Sequence, residues 1–184
     1  RARYLDGRYH SPSLQVVIEG EQGSGKSVFR NVYEQDLFRR VVMSDREKAG
    51  SDSPGRIVQT IGIETSKSRP AEIVAGNQAV CLYMMETEID SVRKSFGKES
   101  GLCSDILRKA FSNECISLDN RHVRKESRGV FPVCLNYTFT GTPGAVGRFF
   151  KEEEYEDGTA SRICFCVIPE LGRSNPEFDL PEGV

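Results

Sequence analysis

The chain has 184 residues, of which 38% are hydrophobic and 28% are charged, which is enough for one core and too little for two full domains. Its 25 basic and 27 acidic residues give a formal charge of -2, and this excludes binding to nucleic acid through bulk positive charge. No apolar run approaches the roughly 18 residues of a membrane span, and the N-terminus lacks a signal-peptide core, so no membrane partner is expected.

The sulfur and imidazole side chains do not form a zinc-site pattern. Neither His10 nor His122 has a Cys or His neighbour at ligand spacing, so we expect no structural zinc. The cysteines lie mostly inside apolar runs, which predicts buried, reduced thiols and a cytoplasmic location. Because the chain begins at Arg1 without a methionine, we expect it to be part of a longer protein.

The first quarter of the chain predicts a hairpin, a strand and a helix. Asp6-Gly7 stands between aromatic-bearing segments, which is typical of a tight hairpin turn. Residues 14–19 are mostly apolar and predict a buried strand, and residues 26–40 carry apolar side chains at helical spacing. The polar residues 44–55, with Gly and Pro among them, predict an exposed loop.

The middle of the chain alternates between strand and helix signals. Residues 56–64 are rich in β-branched side chains and predict a second strand, and a short helix is expected near 70–76. The apolar run 79–86 predicts a third strand, buried on both faces of a parallel sheet. A helix follows around 102–110, and then a hairpin over 114–129 with its turn at Asp119-Asn120.

The last third predicts a fourth strand at 131–143, a short helix near 145–151 and a fifth strand at 162–170. This alternation predicts an α/β fold, a P-loop NTPase three-layer sandwich with a mainly parallel five-stranded sheet in the order 5-1-4-3-2. The hairpin is then an insertion before the fourth strand. We expect one domain over 1–184: a lead-in hairpin (1–13), a core (14–168) and a C-terminal tail (169–184).

The segment Gly20-Glu-Gln-Gly-Ser-Gly-Lys-Ser27 matches the phosphate-binding pattern G-x-x-x-x-G-K-[ST] at every fixed position. Glycines let successive backbone N–H groups turn toward phosphate oxygens, and the following helix adds its dipole. Lys26 would reach the β- and γ-phosphates of ATP, and the Ser27 hydroxyl would bind Mg²⁺. The predicted nucleotide-binding residues are Gly20, Gln22, Gly23, Ser24, Gly25, Lys26, Ser27 and Val28.

Such an ATPase also needs a carboxylate at the tip of a neighbouring strand, to hold Mg²⁺ and orient the attacking water. Glu86, Glu88 and Asp90 follow the third strand, although the usual Asp-Glu pair is missing. Glu86 is the first choice and the predicted second Mg²⁺ residue beside Ser27, and Glu88 is the alternative base. The alternative is that these acids are the solvated first turn of a helix, which is the favoured interpretation for Asp90 and the less favoured one for Glu86.

Two hydroxyls and two arginines complete the candidate site. Thr140 and Thr142, at the end of the fourth strand, could meet a γ-phosphate or its attacking water, or could cap a turn. Arg162, just before the fifth strand, could stabilise transition-state charge on a nucleotide held by an adjacent subunit, or could make a surface ion pair. Arg148 is the weaker candidate for the same role.

The hairpin carries a compact positive segment in a mildly acidic chain. Such a segment could contact the phosphates of single-stranded DNA, or could be a solvated hairpin without a partner. The predicted nucleic-acid-binding residues are Arg121, Arg124, Lys125 and Arg128.

The segments "GSGKS", "TEID", "GLCSDILRKAFSNECIS", "TGTP" and "DGTASRICF" together resemble the P-loop domain of a Bacteroides-type protein family. Its members often carry primase-like or VirE-like N-terminal domains and are associated with mobile elements. The likeness covers about residues 4–168. The family is similar to primase-associated helicases, including superfamily 3 types, in placing a hairpin between the acid strand and the sensor strand. The resemblance implies Lys26 and Ser27 for nucleotide and Mg²⁺, Glu86 and Glu88 for the acid site, Thr140 for the sensor and Arg162 for the finger.

Three functions are therefore open at the level of the sequence. The first is an ATPase motor on DNA, with helicase or translocase activity and a homo-oligomeric ring in the full-length protein. The second is a nucleotide-gated assembly or binding module with little turnover, which the unusual acid site allows. The third is a small-molecule kinase, which lacks the arginine-rich lid expected after the fourth strand.

Overall fold

The computed structural model describes residues 2–3, 9–10, 13–49, 59–61, 69–76, 81–96, 102–118, 129–150, 156 and 158–169. The strands are β1 (Ala2–Arg3), β2 (Tyr9–His10), β3 (Gln15–Glu19), β4 (Thr60–Ile61), β5 (Leu82–Glu86), β6 (Cys115–Leu118), β7 (Gly129–Pro132), β8 (Leu135–Gly141) and β9 (Cys164–Val167). The helices are α1 (Lys26–Asn31), α2 (Arg39–Ala49), α3 (Arg69–Gly76), α4 (Ile89–Phe96), α5 (Leu102–Ser112) and α6 (Pro143–Phe149). A π-helical segment (Val32–Leu37) joins α1 to α2, and a 3₁₀ turn (Ala160–Arg162) precedes β9.

The central sheet has five strands in the spatial order β4-β5-β8-β3-β9, and every neighbouring pair in it is parallel. The predicted first, second, third, fourth and fifth strands correspond in the chain to β3, β4, β5, β8 and β9. Two antiparallel pairs stand beside this sheet, β1 with β2 and β6 with β7. The predicted α/β class with a mainly parallel sheet is confirmed.

One side of the sheet, called here the core face, is covered by helices. Alternation along the strands places Val17, Met84 and Phe139 on this side, and each is 0–1% exposed. They form one apolar cluster with side chains of α3, α4, α5 and α6, and with Ile116 and Leu118 of β6. Burying such side chains is the main favourable term in folding, so the core face is where most of the stability arises.

The opposite side, called here the α1 face, is packed differently. Tyr83 of β5 points to this side, where its ring lies 4.7 Å from that of Tyr33 in the π-helical segment. Its hydroxyl donates to Thr138 Oγ1 at 2.7 Å on the neighbouring strand. Phe38 joins the two tyrosines, with its ring 4.6 Å from Tyr33. The helices that follow the first strand thus contact the sheet through an aromatic cluster.

The prediction of one helix over 26–40 is wrong in two respects: the segment is not α-helical throughout, and it does not end at residue 40. The π-helical segment interrupts it, and α2 continues to Ala49, so residues 44–49 are helical and not the predicted exposed loop. Asp45 explains the extension: it is 6% exposed, and its Oδ2 accepts from the backbone N–H groups of Gln59 and Thr60 at 2.8 and 2.7 Å. The polar helix is therefore anchored to the start of β4. Residues 50–55 lie outside the described part.

The predicted fourth strand over 131–143 is two strands with different partners. β7 ends at Pro132 and pairs with β6, with Cys115 opposite Pro132, whereas β8 enters the parallel sheet at Leu135. Proline has no N–H to donate and ends the antiparallel ladder. An antiparallel pair is present at the predicted hairpin insertion, but its second arm is β7, which was predicted as the start of the fourth strand. Residues 119–128, with the predicted turn at Asp119-Asn120, lie outside the described part.

The prediction of buried thiols is wrong for the cysteines whose side chains are described. Cys81, Cys115, Cys164 and Cys166 are exposed, Cys134 is half-buried, and all five are free. Apolar neighbours in sequence indicated burial, but two of these residues lie on β9 at the edge of the sheet.

Among the described helices, none has the length and apolar character needed to cross a membrane.

Candidate functional site: the phosphate loop and the acid segment

Three of the predicted segments meet at one edge of the sheet. Parallel strands all end at the same edge, and there the phosphate loop (20–26) follows β3, the acid segment (86–90) ends β5, and Thr140 to Thr142 end β8. β8 lies between β3 and β5 in the sheet. Glu19 is level with Gly141, and Glu86 with Phe139. The loop and the carboxylates thus follow two strands that flank β8, at the carboxyl ends of the strands, where open α/β sheets bind ligands.

The phosphate loop depends on three of its glycines. Gly23 and Gly25 have φ angles of 82° and 83°, in the left-handed region that side chains other than glycine avoid. A Cβ on Gly20 would lie 2.5 Å from Ser24 Oγ and 3.2 Å from Ile168 Cβ, so a side chain there would displace Ser24 and press on Ile168. The backbone N–H of Ser24 donates to the Glu21 carbonyl at 3.1 Å and closes the first turn of the loop.

Lys26 turns back over this loop. Its Nζ donates to the carbonyl oxygens of Gly20 and Glu21, each at 2.6 Å, and lies 3.4 Å from Ser24 Oγ. The ammonium group therefore sits over the loop and holds its two ends together. This position puts a positive charge where the sequence pattern predicts phosphate.

The other residues of the predicted nucleotide site lie on the outer side of the loop or in the first turn of α1. Gln22, Gly23 and Ser27 are exposed, which leaves the Ser27 hydroxyl accessible. Val28 is also exposed, at 56%, but its backbone N–H donates to the Gly25 carbonyl at 2.9 Å. The N–H groups of Val28 and Ser24 are thus both used within the loop and the first turn of the helix.

The acid segment contains three carboxylates, which differ in exposure and in position. Glu86 is the last residue of β5 and is half-buried, and Glu88 is exposed. Asp90 lies in the first turn of α4, and its Oδ2 accepts from Arg148 Nη2 of α6 at 2.7 Å. This pairing raises the pKa of the Arg148 guanidinium. The geometry therefore favours the first-turn interpretation of Asp90, and it ties Arg148 to its own chain.

The two threonines have different local roles. Thr142 is the N-cap of α6, because its Oγ1 accepts from the backbone N–H of Ala145 at 3.3 Å. Thr140 is fully buried, and its hydroxyl donates to the Thr87 carbonyl at 2.7 Å. The capping alternative thus describes Thr142, whereas Thr140 joins the tip of β8 to the acid segment.

A backbone contact that sequence reasoning missed reinforces this joint. A Cβ on Gly141 would lie 2.7 Å from Ile89 Cγ2 and 3.2 Å from Val146 Cγ2, so the start of α4 packs directly on the end of β8. The Thr87 carbonyl carries no sequence signal, since any residue has one. Gly141 did carry a signal, the glycine between two candidate threonines, which is typical of close backbone approach.

Arg162 lies at the opposite edge of the sheet, where the parallel strands begin. It ends the 3₁₀ turn before β9, where its Nη1 donates to the Gly158 carbonyl at 2.7 Å. β9 runs beside β3 with Cys164 level with Val16, so the start of the phosphate loop lies roughly 15–20 Å further along the strand. Arg162 does not reach the phosphate loop of its own chain.

The predicted DNA-binding segment is carried by the hairpin insertion. Its residues Arg121 to Arg128 lie outside the described part, but the arms that carry them are placed. The backbone N–H of Val133, just after β7, donates to the Glu114 carbonyl at 2.9 Å, and β8 starts two residues later. The hairpin therefore leaves and rejoins the body of the protein at the N-terminal edge of the parallel strands.

A comparison of the chain with protein-family models finds no match, and neither does a comparison with curated proteins.

Proposed function

We propose that this chain is a P-loop domain that binds and hydrolyses ATP with Mg²⁺, within a helicase- or translocase-like motor that acts on single-stranded DNA. The observation that carries the proposal is the position of Lys26. Its ammonium lies over a loop with the full G-x-x-x-x-G-K-S pattern, one strand away from Glu86. The proposed fold is correspondingly the three-layer P-loop sandwich, and the order of the parallel strands supports it.

In this proposal the chain's own groups divide the work. Lys26 exchanges its carbonyl partners for phosphate oxygens, and glycine backbone N–H groups surround the same phosphates. Ser27 and Glu86 offer hydroxyl and carboxylate oxygens, the hard ligands that Mg²⁺ prefers, and the ion would neutralise phosphate charge. Glu86 or Glu88 accepts a proton from water or orients it, and Thr140 keeps their segment in place through the Thr87 carbonyl.

The motor part of the proposal concerns the opposite edge of the sheet. The hairpin leaves and rejoins the body of the protein there, and Arg162 lies at that edge too. From this position Arg162 would stabilise transition-state charge on the nucleotide of a neighbouring subunit and not on that of its own chain. This supports a ring of copies. The free thiols of the described part support a cytoplasmic location.

A second candidate is a nucleotide-gated assembly module with little turnover. The observation in its favour is the pairing of Asp90 with Arg148, which engages one of the three acids of the segment away from the phosphate loop. A site without the usual Asp-Glu pair binds nucleotide through Lys26 and the loop, and it turns nucleotide over slowly.

The test is steady-state ATP hydrolysis with Mg²⁺, with and without single-stranded DNA, together with nucleotide affinity by titration. Lys26→Ala is expected to lose both binding and turnover. Glu86→Gln is expected to keep binding and to lose turnover by about 100-fold or more, as for removal of a catalytic base. Lys109→Ala, which removes a positive charge from α5, is the matched control and is expected to behave as wild type.

Each outcome selects one reading. Unchanged hydrolysis by Lys26→Ala removes the central claim. Binding without turnover, indifferent to DNA, supports the assembly module. Turnover that DNA stimulates supports the motor, and charge reversal at Arg121, Arg124 and Lys125 is then expected to weaken DNA binding and its salt dependence while basal ATPase activity stays.

A further inference from the structure

The edge strand β9 presents two thiols side by side to solvent. Cys164 and Cys166 are two residues apart on a strand, so both point to the same side, the α1 face. Both are exposed, and their sulfur atoms lie 4.0 Å apart. Phe165 between them points to the core face, where its ring lies 5.3 Å from that of Phe150. This ring contact fixes which side of β9 the thiols occupy.

The 4.0 Å separation does not suit a disulfide. A sulfur–sulfur bond is about 2 Å long and needs the two Cβ atoms about 4 Å apart. Residues i and i+2 of a strand are roughly 6.6 Å apart, with their Cβ atoms pointing in the same direction. Closing the bond would require the backbone of β9 to leave its ladder with β3.

The same separation suits a bridging cation. A thiophilic cation about 2.3 Å from each sulfur would see the two atoms at an angle of about 120°. We infer that Cys164 and Cys166 form a binding site for a soft d¹⁰ cation of low coordination number, of which Cu(I) is the representative. Two thiolates satisfy most of the coordination of such an ion, whereas Zn²⁺ requires four ligands. On binding, both thiol protons pass to solvent and two cation–sulfur bonds form, and the cation keeps its oxidation state.

A second pair of thiols, Cys81 and Cys134, is the internal comparison. They lie at the start of neighbouring strands, and Cys134 is half-buried. Asn136 Nδ2 donates to Cys81 Sγ at 3.1 Å and occupies a position from which a cation would approach. Burial, and then the neighbouring Cys134, raise the pKa of the Cys81 thiol to about 12. Burial and Cys164 also raise the pKa of Cys166, but its sulfur is open to solvent.

The experiment is a competition titration of the whole chain with Cu(I) under anaerobic conditions, with bicinchoninic acid as the competing chelator. The expected result is one Cu(I) per chain, with the affinity lowered by about 100-fold or more in both Cys164→Ser and Cys166→Ser, since each loses one of two thiolate ligands. Cys81→Ser, Cys134→Ser and Cys115→Ser are the matched controls and are expected to keep wild-type affinity.

Urea unfolding of each variant checks that the fold is retained, and both exposed positions tolerate serine for that purpose. The inference is overturned if the chain takes up no Cu(I), if either edge variant binds as wild type, or if the Cys81 and Cys134 variants are the ones that lose binding. The result is independent of ATP hydrolysis, so it stands or fails separately from the proposed function.

Discussion

The two faces of the central sheet are built from the same five strands, yet they differ in how completely they are covered. On the core face, Phe139 and Met84 are 0–1% exposed and pack among helices. On the α1 side, Phe29 and Val32 of the helical segment after the phosphate loop are 46% and 40% exposed. Among the side chains of that segment that the structure describes, Tyr33 is the buried one. The core face supplies stability, and the α1 face leaves apolar groups and thiols accessible.

This difference separates the part of the domain that supplies stability from the part that carries the phosphate loop. Local stability follows buried apolar contacts, so elements on the core face are expected to open last and α1 early. The phosphate loop lies between β3, whose Val17 is buried, and α1, whose apolar side chains are largely exposed. A loop between a rigid strand and a loosely packed helix has a fixed start and an adjustable end.

The sharpest way to break the comparison is to truncate one phenylalanine on each side. Phe139→Ala is expected to lower the free energy of unfolding by about 3–5 kcal/mol, because it leaves a cavity among packed rings. Phe29→Ala is expected to cost less than about 1 kcal/mol, since its side chain is already half in solvent. Urea unfolding of both variants measures the difference. Equal losses would show that the α1 face is as well packed as the core face.

A smaller loss of stability is expected from a change at Thr140, near the end of β8. Thr140→Val keeps the shape of the side chain but removes the donor to the Thr87 carbonyl, and is expected to cost about 1 kcal/mol. Amide exchange in the acid segment is expected to accelerate as that joint loosens. Thr140→Ser keeps the hydroxyl and serves as the control.

Thr138 on the same side of β8 sharpens this prediction. Thr138→Val removes the hydroxyl that accepts from Tyr83. Tyr83 is half-buried, so its hydroxyl can donate to water instead. Amide exchange in the acid segment is expected to stay unchanged in that variant. Acceleration by Thr138→Val as well would mean that Thr140 is not a specific link to the acid segment.

The smallest effect concerns a charged group on α5. Burial raises the pKa of the Asp105 carboxyl, but hydrogen bonds from Lys109 and Arg108 outweigh it and hold that pKa below its usual 3.8. The folded protein thus favours the ionised form, so the stabilisation is present above pH 3.8 and is lost as the pH falls through the folded pKa. Asp105→Asn is expected to cost less than about 1 kcal/mol at neutral pH.

Urea unfolding at a series of pH values measures this contribution. The difference between wild type and Asp105→Asn is expected to shrink toward zero in acid. A difference that does not change with pH would assign the effect to packing of the side chain and not to its charge.

Local patterns were sufficient for parts of the fold and of the candidate site. The phosphate loop is a contiguous motif between a strand and a helix, and its glycines reflect backbone angles that neighbouring residues set, as at Gly23 and Gly25. The acid segment follows an apolar run that could be identified as a strand. These features depend on residues close in sequence, where periodicity and turn chemistry carry the information.

Other features could not be predicted, because they depend on distant partners. Asp45 lies in a polar stretch typical of a loop, and only its bonds to Gln59 and Thr60 make it part of an anchored helix. The split of the fourth strand near Val133 depends on β6 being available as a partner for β7. The exposure of Cys164 and Cys166 depends on β9 being an edge strand.

The sequence by itself therefore determined the phosphate-binding motif, the α/β alternation and the strands that carry the candidate acids, since each follows from short-range chemistry. Only the tertiary structure decided that Thr140 bonds the Thr87 carbonyl, that Asp90 pairs with Arg148, and that Arg162 lies at the far edge from its own phosphate loop. The physical reason is that hydrogen bonds and burial act between groups close in space, and Thr140 and Thr87 become neighbours only when β8 pairs with β5.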